Sequence, residues 1–147
     1  MKVLVSACIL GENCKYNGKN NANKLVINFV KDKEVISICP EVLAGMKPPR
    51  PCAEIANGIV IDENGKNVHS EYSKAVELAL SKIEGEDIDL CILQSRSPTC
   101  GVNQIYDGSF SGKLISGMGL FAKALKQKGY KVIDVETFVE KLESEWL

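Results

Sequence analysis

The chain has 147 residues, about the usual size of one globular domain, and we expect a single domain over residues 1–147. Its 18 basic and 19 acidic residues nearly balance, which argues against a nucleic-acid-binding protein or one that adheres to an anionic membrane. No apolar run approaches the roughly 20 residues that cross a bilayer, and the amino terminus lacks the layout of a signal peptide. We therefore expect a cytoplasmic protein.

Six cysteines and one histidine, His69, restrict the kinds of site that the chain can build. The cytoplasm keeps thiols reduced, so six cysteines indicate metal binding or redox chemistry more than a disulfide framework. The sequence lacks the C-x-x-C pairs of zinc ribbons and thioredoxin-like sites. A metal would therefore be bound mainly by thiolates from separated segments, and soft sulfur ligands favour zinc, copper(I) or iron–sulfur clusters.

The first apolar run, residues 3–5, is short and rich in β-branched side chains, which predicts a buried strand with Cys8 just past its end. Residues 11–23 are polar and rich in glycine and asparagine, a composition typical of a long, shaped loop. Apolar residues on one face predict a short helix over 25–30. A second strand is predicted over 35–38.

The second strand is followed by Pro40, which has no N–H to donate to a strand ladder. Residues 42–54 contain a glycine and further prolines, so we expect a stiff irregular segment there rather than a helix. Residues 59–68 predict a β-hairpin, because Asn64-Gly65 is a strong turn signal between two runs that resemble strands.

The rest of the chain alternates patterns typical of helices and strands. These are, in order, a helix over 70–83, a strand over 88–93, a long polar region over 94–119, a helix from 120 ended by Gly129, a strand over 130–135 and a helix over 136–146. This alternation predicts an α/β fold, a three-layer sandwich with a mostly parallel sheet, Rossmann-like or flavodoxin-like, with a small β-hairpin added.

Three cysteines, Cys8, Cys39 and Cys100, lie at or shortly beyond the carboxyl ends of predicted strands. Neighbouring strands lie about 5 Å apart, so these thiols would meet at one edge of the sheet, where open α/β folds bind ligands. Three thiolates suit a four-iron, four-sulfur cluster with one iron left open to a non-protein ligand. The alternative is simple packing, because free cysteines are among the most buried residues in proteins.

The other cysteines give weaker signals. Cys14 lies in the polar loop after the first strand and is either a fourth ligand or a nearby reactive thiol. Cys91 lies inside an apolar run, which favours packing in the core. Cys52 lies in the proline-rich segment, and no pattern around it indicates a role.

Glu41 and Ser97 are the polar candidates beside these cysteines. Glu41 follows Cys39 and a proline, so its carboxylate is a candidate general acid or base, and the alternative is a solvated surface glutamate. Ser95 and Ser97 flank an arginine, and one of the two hydroxyls would bind substrate or relay a proton. The alternative for both serines is that they only form the turn before the next proline.

Five segments resemble, in the same order, a small bacterial family of formerly unknown function that includes thiouracil desulfurase. They are SACILGENCKYNG (6–18), CPEV (39–42), PRP with AEI (49–55), SRSPTCG (95–101) and IYDGSFSG (105–112). The resemblance covers essentially the whole chain. It implies a cytoplasmic enzyme with an oxygen-sensitive 4Fe-4S cluster, which is expected to be lost during aerobic preparation.

The resemblance also implies roles for particular residues. Cys8, Cys39 and Cys100 would hold the cluster, with Glu41 as the acid or base and Ser97 as a substrate-positioning group. The iron that no cysteine holds would take the sulfur of a small thiolated substrate. Water would then replace that sulfur at carbon, without net redox change.

Two positions depart from the family pattern. Gln94 stands where a lysine is expected, and Cys52 replaces a proline. If that lysine binds substrate, substrate choice differs here, so we expect a thiolated nucleobase or a similar thiocarbonyl compound rather than thiouracil alone. Two alternatives use the same three cysteines, namely a non-catalytic metal or iron–sulfur module, such as a sensor or sulfur carrier, and a zinc hydrolase.

Overall fold

The computed structural model describes residues 1–146. Its strands are β1 (Lys2–Ser6), β2 (Glu34–Ile38), β3 (Ala53–Ala56), β4 (Ile59–Asp62), β5 (Leu90–Leu93), β6 (Gln104–Tyr106), β7 (Leu114–Ser116) and β8 (Val132–Asp134). Its helices are α1 (Lys24–Val30), α2 (Pro40–Leu43), α3 (His69–Lys82), α4 (Leu120–Gln127) and α5 (Val135–Trp146). Over the described part of the chain, no helix is both long and apolar enough to cross a membrane.

A parallel sheet with the strand order β2-β1-β5-β8 forms the middle of the molecule. Its central strand β1 pairs with β2 on one side and β5 on the other, so that Leu4 lies opposite both Ile36 and Cys91. The apolar residues of β1, Val3 to Val5, have no exposed surface, as expected for a parallel strand covered on both faces.

Helices cover both faces of this sheet. On one face, Val26 of α1 and Phe138 of α5 pack with Val5. On the other face, side chains of α3 and α4, including Phe121, pack with Leu4. Side chains that alternate along β1 therefore pack into two separate cores, one on each face of the sheet. The predicted three-layer α/β fold with a parallel sheet is confirmed.

A small β-hairpin is also confirmed, but its predicted position is wrong. β3 pairs with β4 in antiparallel fashion around Asn57-Gly58, not around Asn64-Gly65. Both Asn57 (φ 50°) and Gly58 (φ 80°) have positive φ, the conformation that a tight hairpin turn of this kind needs. Residues 62–65 form a turn, but an isolated bridge rather than a strand pair closes it.

Three other elements differ from the prediction. Helix α2 extends into residues 42–54, the segment that we expected to be irregular. The helix begins at Pro40 because proline is well tolerated at the first helical position, whose N–H needs no partner in the helix. Strands β6 and β7 pair within the long polar region predicted over 94–119. Each has three residues, too few for a clear alternation of apolar and polar side chains.

Candidate active site

Three segments of chain meet beyond the carboxyl ends of β1, β2 and β5. β1 runs into a short 3₁₀ turn, Ala7–Leu10, that carries Cys8. β2 runs into α2, with Cys39 as the residue that precedes the helix. The irregular segment after β5 carries Cys100. Because β1 lies between β2 and β5, these three strand ends are neighbours at one edge of the sheet.

A cavity of about 530 Å³ opens at this edge, within the usual size range of small-molecule sites. The predicted site residues all line it, namely Cys8, Cys39, Cys100, Glu41 and Ser97. The structure thus brings these five residues together, while their roles stay predictions. Within residues 1–146, no three cysteine, histidine, aspartate or glutamate side chains lie close enough to share a single metal ion.

The remaining cysteines divide between the cavity and the core. Cys14 and Cys52 line the cavity. Burial raises the pKa of the Cys52 thiol, and the nearby carboxylates of Glu54 and Glu63 raise it further. Cys91 has no exposed surface and packs in the core, as its apolar neighbours in the sequence predict.

Cys14 is hydrogen-bonded to two of the predicted ligands. Its single thiol proton can be donated to the sulfur of either Cys8 or Cys39, and both contacts raise the pKa of Cys14. The same hydrogen bonds lower the pKa of Cys8 to about 7 and lower that of Cys39. Asn21 Nδ2 also donates to Cys8 Sγ, at 3.5 Å. Cys14 therefore favours a thiolate at one of these two cysteines at a time while it stays protonated itself.

The environment of Cys100 has the opposite effect. Burial raises the pKa of the Cys100 thiol, and the negative charge of Glu41 raises it further. Hydrogen bonds from Ser6 and from Thr99, whose Oγ1 lies 3.7 Å from the sulfur, act in the other direction and lower this pKa. A buried thiol of this kind loses its proton when it coordinates a cation, because the charge of the cation stabilises the thiolate.

A hydrogen-bonded chain joins Glu41 to Ser97 through Thr99. Thr99 Oγ1 lies 3.1 Å from Oε1 and 3.2 Å from Oε2 of Glu41, to which it donates. Ser97 Oγ lies 2.9 Å from Thr99 Oγ1 and accepts the backbone N–H groups of Thr99 and Cys100. Because these two N–H groups occupy both lone pairs of Ser97 Oγ, the proton of Ser97 points at Thr99 Oγ1.

Thr99 is a site residue that the sequence did not single out. It is 1% exposed and lines the cavity beside Cys100. Its sequence context, between a proline and a cysteine, resembles an ordinary turn. The sequence feature that could have indicated Thr99 is its hydroxyl group directly before the predicted ligand Cys100. Nothing in the sequence shows that this hydroxyl faces Glu41.

Arg50 fixes Glu41 from the other side. Its Nη2 lies 3.8 Å from Glu41 Oε2, and the two side chains are 11% and 9% exposed. The same nitrogen donates to the backbone oxygen of Cys14 at 2.9 Å, while Nη1 donates to that of Met46 at 3.0 Å. Glu41 is thus a buried carboxylate held by two partners, and the alternative of a solvated surface glutamate is wrong.

The two candidate serines have different surroundings. Ser95 Oγ donates to Asp134 Oδ1 at 2.8 Å in a buried contact that attaches the segment after β5 to β8. Ser97 is instead connected to Glu41 through Thr99. Both serines line the cavity, and Ser97 is the one whose hydroxyl is connected to Glu41.

The chain is similar to known proteins over nearly its whole length. The model of the 2-thiouracil desulfurase family matches residues 3–137. The uncharacterized protein YbbK of Bacillus subtilis (strain 168) is 36% identical over 141 residues, which cover 89% of this chain and 93% of that protein. The solved structure of TudS, a [4Fe-4S]-dependent thiouracil desulfidase, superposes with a TM-score of 0.87 at 31% identity and covers 99% of both chains.

Proposed function

Because the chain belongs to the 2-thiouracil desulfurase family, we propose that it is an enzyme that uses a [4Fe-4S] cluster to remove sulfur from a thiolated nucleobase or a similar thiocarbonyl compound. The observation that carries this proposal is the set of cysteines around one cavity in a chain that superposes on a [4Fe-4S]-dependent thiouracil desulfidase. The substrate is a small molecule, in keeping with the size of the cavity.

The residues around the cavity suit such a cluster. Cysteine thiolates are the usual ligands of four-iron clusters, and Cys8, Cys39 and Cys100 come from three adjacent strand ends. Each iron of such a cluster takes its own ligand, so thiols spread over a cavity wall suit it better than thiols that meet at one point. The lowered pKa values of Cys8 and Cys39 favour the thiolate forms that bind iron. Three ligands leave one iron without a protein ligand.

When bound, the cluster supplies a thiophilic iron that attracts the sulfur of a thiocarbonyl group and withdraws electron density from its carbon. The overall reaction converts a thiocarbonyl and water into a carbonyl and hydrogen sulfide, so no electrons are gained or lost. Glu41 accepts a proton from the attacking water. Thr99 and Arg50 hold the carboxylate of Glu41 in place for this step.

Ser97 and Thr99 form the second part of the proton path. The Ser97 hydroxyl lies on the cavity wall, and its proton points toward Thr99, whose own proton points toward Glu41. Because both hydroxyl protons point from the cavity wall toward Glu41, the two hydroxyls form a route along which a proton released in the cavity passes to the carboxylate. Glu41 therefore takes up the proton of the attacking water without contact with bulk water.

Anaerobic reconstitution tests the proposal. We expect the wild-type protein to bind iron and acid-labile sulfide and to release sulfide and uracil in equal amounts from 2-thiouracil. Cys100→Ser should bind less iron and release no sulfide. The control Cys91→Ala replaces a cysteine of β5 that is buried in the core, and it should keep both the iron content and the release of sulfide. A cluster-loaded wild-type protein that releases no sulfide from any thiolated nucleobase would contradict the enzymatic proposal.

A further inference from the structure

The cavity wall includes an aromatic side chain in an unusual backbone conformation. Phe110 lines the cavity and is 38% exposed. Its φ of 56° lies in the left-handed region, which bulky residues rarely adopt. Residues persist in such conformations where the surrounding structure holds them there, and they are frequent in ligand-binding segments. Two features of the β6–β7 turn, residues 107–113, hold Phe110 in place.

The first feature is a buried carboxylate on the neighbouring hairpin. Glu54 of β3 is 7% exposed, and its Oε1 accepts the backbone N–H of Gly108 at 3.0 Å and that of Phe110 at 3.1 Å. Hydrogen bonds to a charged acceptor are among the stronger ones in proteins. Glu54 therefore fixes the turn at the residue that carries the ring.

The second feature is a close approach of the two backbones. A Cβ atom on Gly108 would lie 2.4 Å from Ala56 Cβ and 2.7 Å from Ala56 Cα, and the φ of Gly108 is 93°. Glycine is the residue that meets both conditions without strain. The turn is thus packed against β3 as well as hydrogen-bonded to it, so the position of Phe110 is well defined.

We propose that Phe110 determines specificity by stacking its ring on a planar heteroaromatic ring in the cavity, with Glu54 as the residue that positions it. This inference rests on the proposed function and narrows its substrate class to cyclic, planar thiocarbonyl compounds. Aromatic side chains stack on any nucleobase face, whatever the polar groups on its edge. Tyr16 and Tyr106 also line the cavity and extend its aromatic surface.

Binding of uracil separates ring recognition from sulfur chemistry, because uracil carries the ring without the sulfur. We would measure uracil binding by equilibrium dialysis to wild-type protein, Phe110→Ala, Phe110→Tyr and Ile115→Ala. Ile115 is a matched control, since it is an apolar residue of β7 in the same hairpin and is 41% exposed. Phe110→Ala should raise the dissociation constant about tenfold, the lower range for loss of a stacking ring, while the other two variants stay close to wild type.

Steady-state kinetics give a second readout. Stacking acts equally on the ground state and the transition state, so Phe110→Ala should raise KM for 2-thiouracil about tenfold and leave kcat nearly unchanged. Thioacetamide has no ring to stack, so its kcat/KM in the wild type should be far below that of 2-thiouracil, and Phe110→Ala should leave that low value unchanged.

The positioning role of Glu54 has its own test. Glu54→Gln keeps a side-chain oxygen that accepts the two N–H groups, so it should bind uracil nearly as well as the wild type. Glu54→Leu should weaken uracil binding to the level of Phe110→Ala and speed amide exchange at residues 108 and 110. Unchanged uracil binding in Glu54→Leu would remove Glu54 from the proposal.

The outcomes distinguish this inference from the proposed function. If the wild-type protein binds uracil and Phe110→Ala weakens that binding, stacking stands even when no sulfide is released. If the wild-type protein releases sulfide and Phe110→Ala binds and turns over substrate like the wild type, the inference is wrong while the proposed function holds. An equal loss in Ile115→Ala, or no uracil binding by the wild type, would also overturn it.

Discussion

Replacing Thr99 by valine tests whether the hydroxyl between Ser97 and Glu41 moves a proton or merely packs. Valine has nearly the same shape as threonine, so the substitution removes the hydroxyl and leaves the volume unchanged. The Glu41 carboxylate then loses its hydrogen-bond donor, and the Ser97 proton loses its acceptor. The hydrogen-bonded chain from Ser97 on the cavity wall to Glu41 is thereby interrupted at Thr99 Oγ1.

The expected size of the effect follows from the burial of this hydroxyl. Thr99 is 1% exposed, and a hydrogen bond to a charged group contributes about 1.5–3 kcal/mol, so Thr99→Val should lower the free energy of unfolding by about 2 kcal/mol. For a chain of this length the melting temperature should fall by roughly 6 °C. Loss of a positioned proton path should lower kcat about 10- to 100-fold with little change in KM.

Thr99→Ser is the matched control for this prediction. It keeps the hydroxyl and removes a buried methyl group, which costs about 1 kcal/mol of stability. Both variants should therefore be less stable than the wild type, while Thr99→Ser alone keeps kcat. Iron content must be measured in each, because Thr99 Oγ1 also lies 3.7 Å from Cys100 Sγ.

The assay combines thermal unfolding, iron per chain and sulfide release from 2-thiouracil under anaerobic conditions. Equal kcat values for Thr99→Val and Thr99→Ser, at equal iron content, would refute the proton path. A fall in activity that matches a fall in iron would also refute it, because the hydroxyl would then support Cys100 rather than Glu41.

Two further predictions concern backbone packing and alkaline pH. Gly119→Ala should lower iron content and activity together, because its Cβ would lie 2.5 Å from the backbone oxygen of Thr99 and 2.8 Å from that of Ser97, and full iron content would contradict this. Burial raises the pKa of Tyr72 to about 12, whereas a tyrosine in the unfolded chain has an ordinary pKa of about 10. The unfolded chain therefore loses the phenolic proton at a lower pH than the folded protein. As a result, the free energy of unfolding falls as pH rises from 10 to 12. Tyr72→Phe should remove this part of the pH dependence, which denaturant unfolding at each pH measures; an unchanged pH dependence would contradict the assignment.

The parts of the fold that follow from local periodicity could be predicted from the sequence. Residues 3–5 and 90–93 are apolar and short, and they form adjacent strands that are covered on both faces of the sheet. The cysteines at the ends of β1 and β2 and after β5 then fall at one edge of the sheet. Their meeting at one cavity follows from strand order, which the alternation of strands and helices restricts.

The position of the hairpin could not be predicted in the same way. Residues 53–68 contain two Asn-Gly pairs, Asn57-Gly58 and Asn64-Gly65, and each is a strong turn signal. What selects the first pair is the burial of residues 53–55 against Val60 and Tyr72. That burial depends on how the proline-rich segment folds back on α3, and no local pattern encodes it.

The contacts that complete the site also depend on tertiary structure. Arg50 reaches the backbone of Cys14, and Thr99 reaches Glu41 across 58 positions of sequence. Cys14 appears in the sequence as an ordinary loop cysteine. Its effect on the pKa values of Cys8 and Cys39 arises only because the loop after β1 folds back over the start of α2.

Residues at the strand ends and residues in the loops around the cavity have different proposed roles, the first in binding the cluster and the second in selecting the substrate. The proposed cluster ligands Cys8 and Cys39 closely follow strands of the sheet, whereas Arg50, Gln94 and Phe110 line the same cavity from irregular segments. Loops tolerate sequence change better than the buried strands that they connect. We infer that substitutions of Gln94 and Phe110 shift substrate choice while iron content stays constant. In particular, Gln94→Lys, at the position that departs from the family pattern, should change the relative kcat/KM of different thiolated nucleobases without loss of iron. A loss of iron in that variant would show that the residue at position 94 supports the cluster and not the substrate.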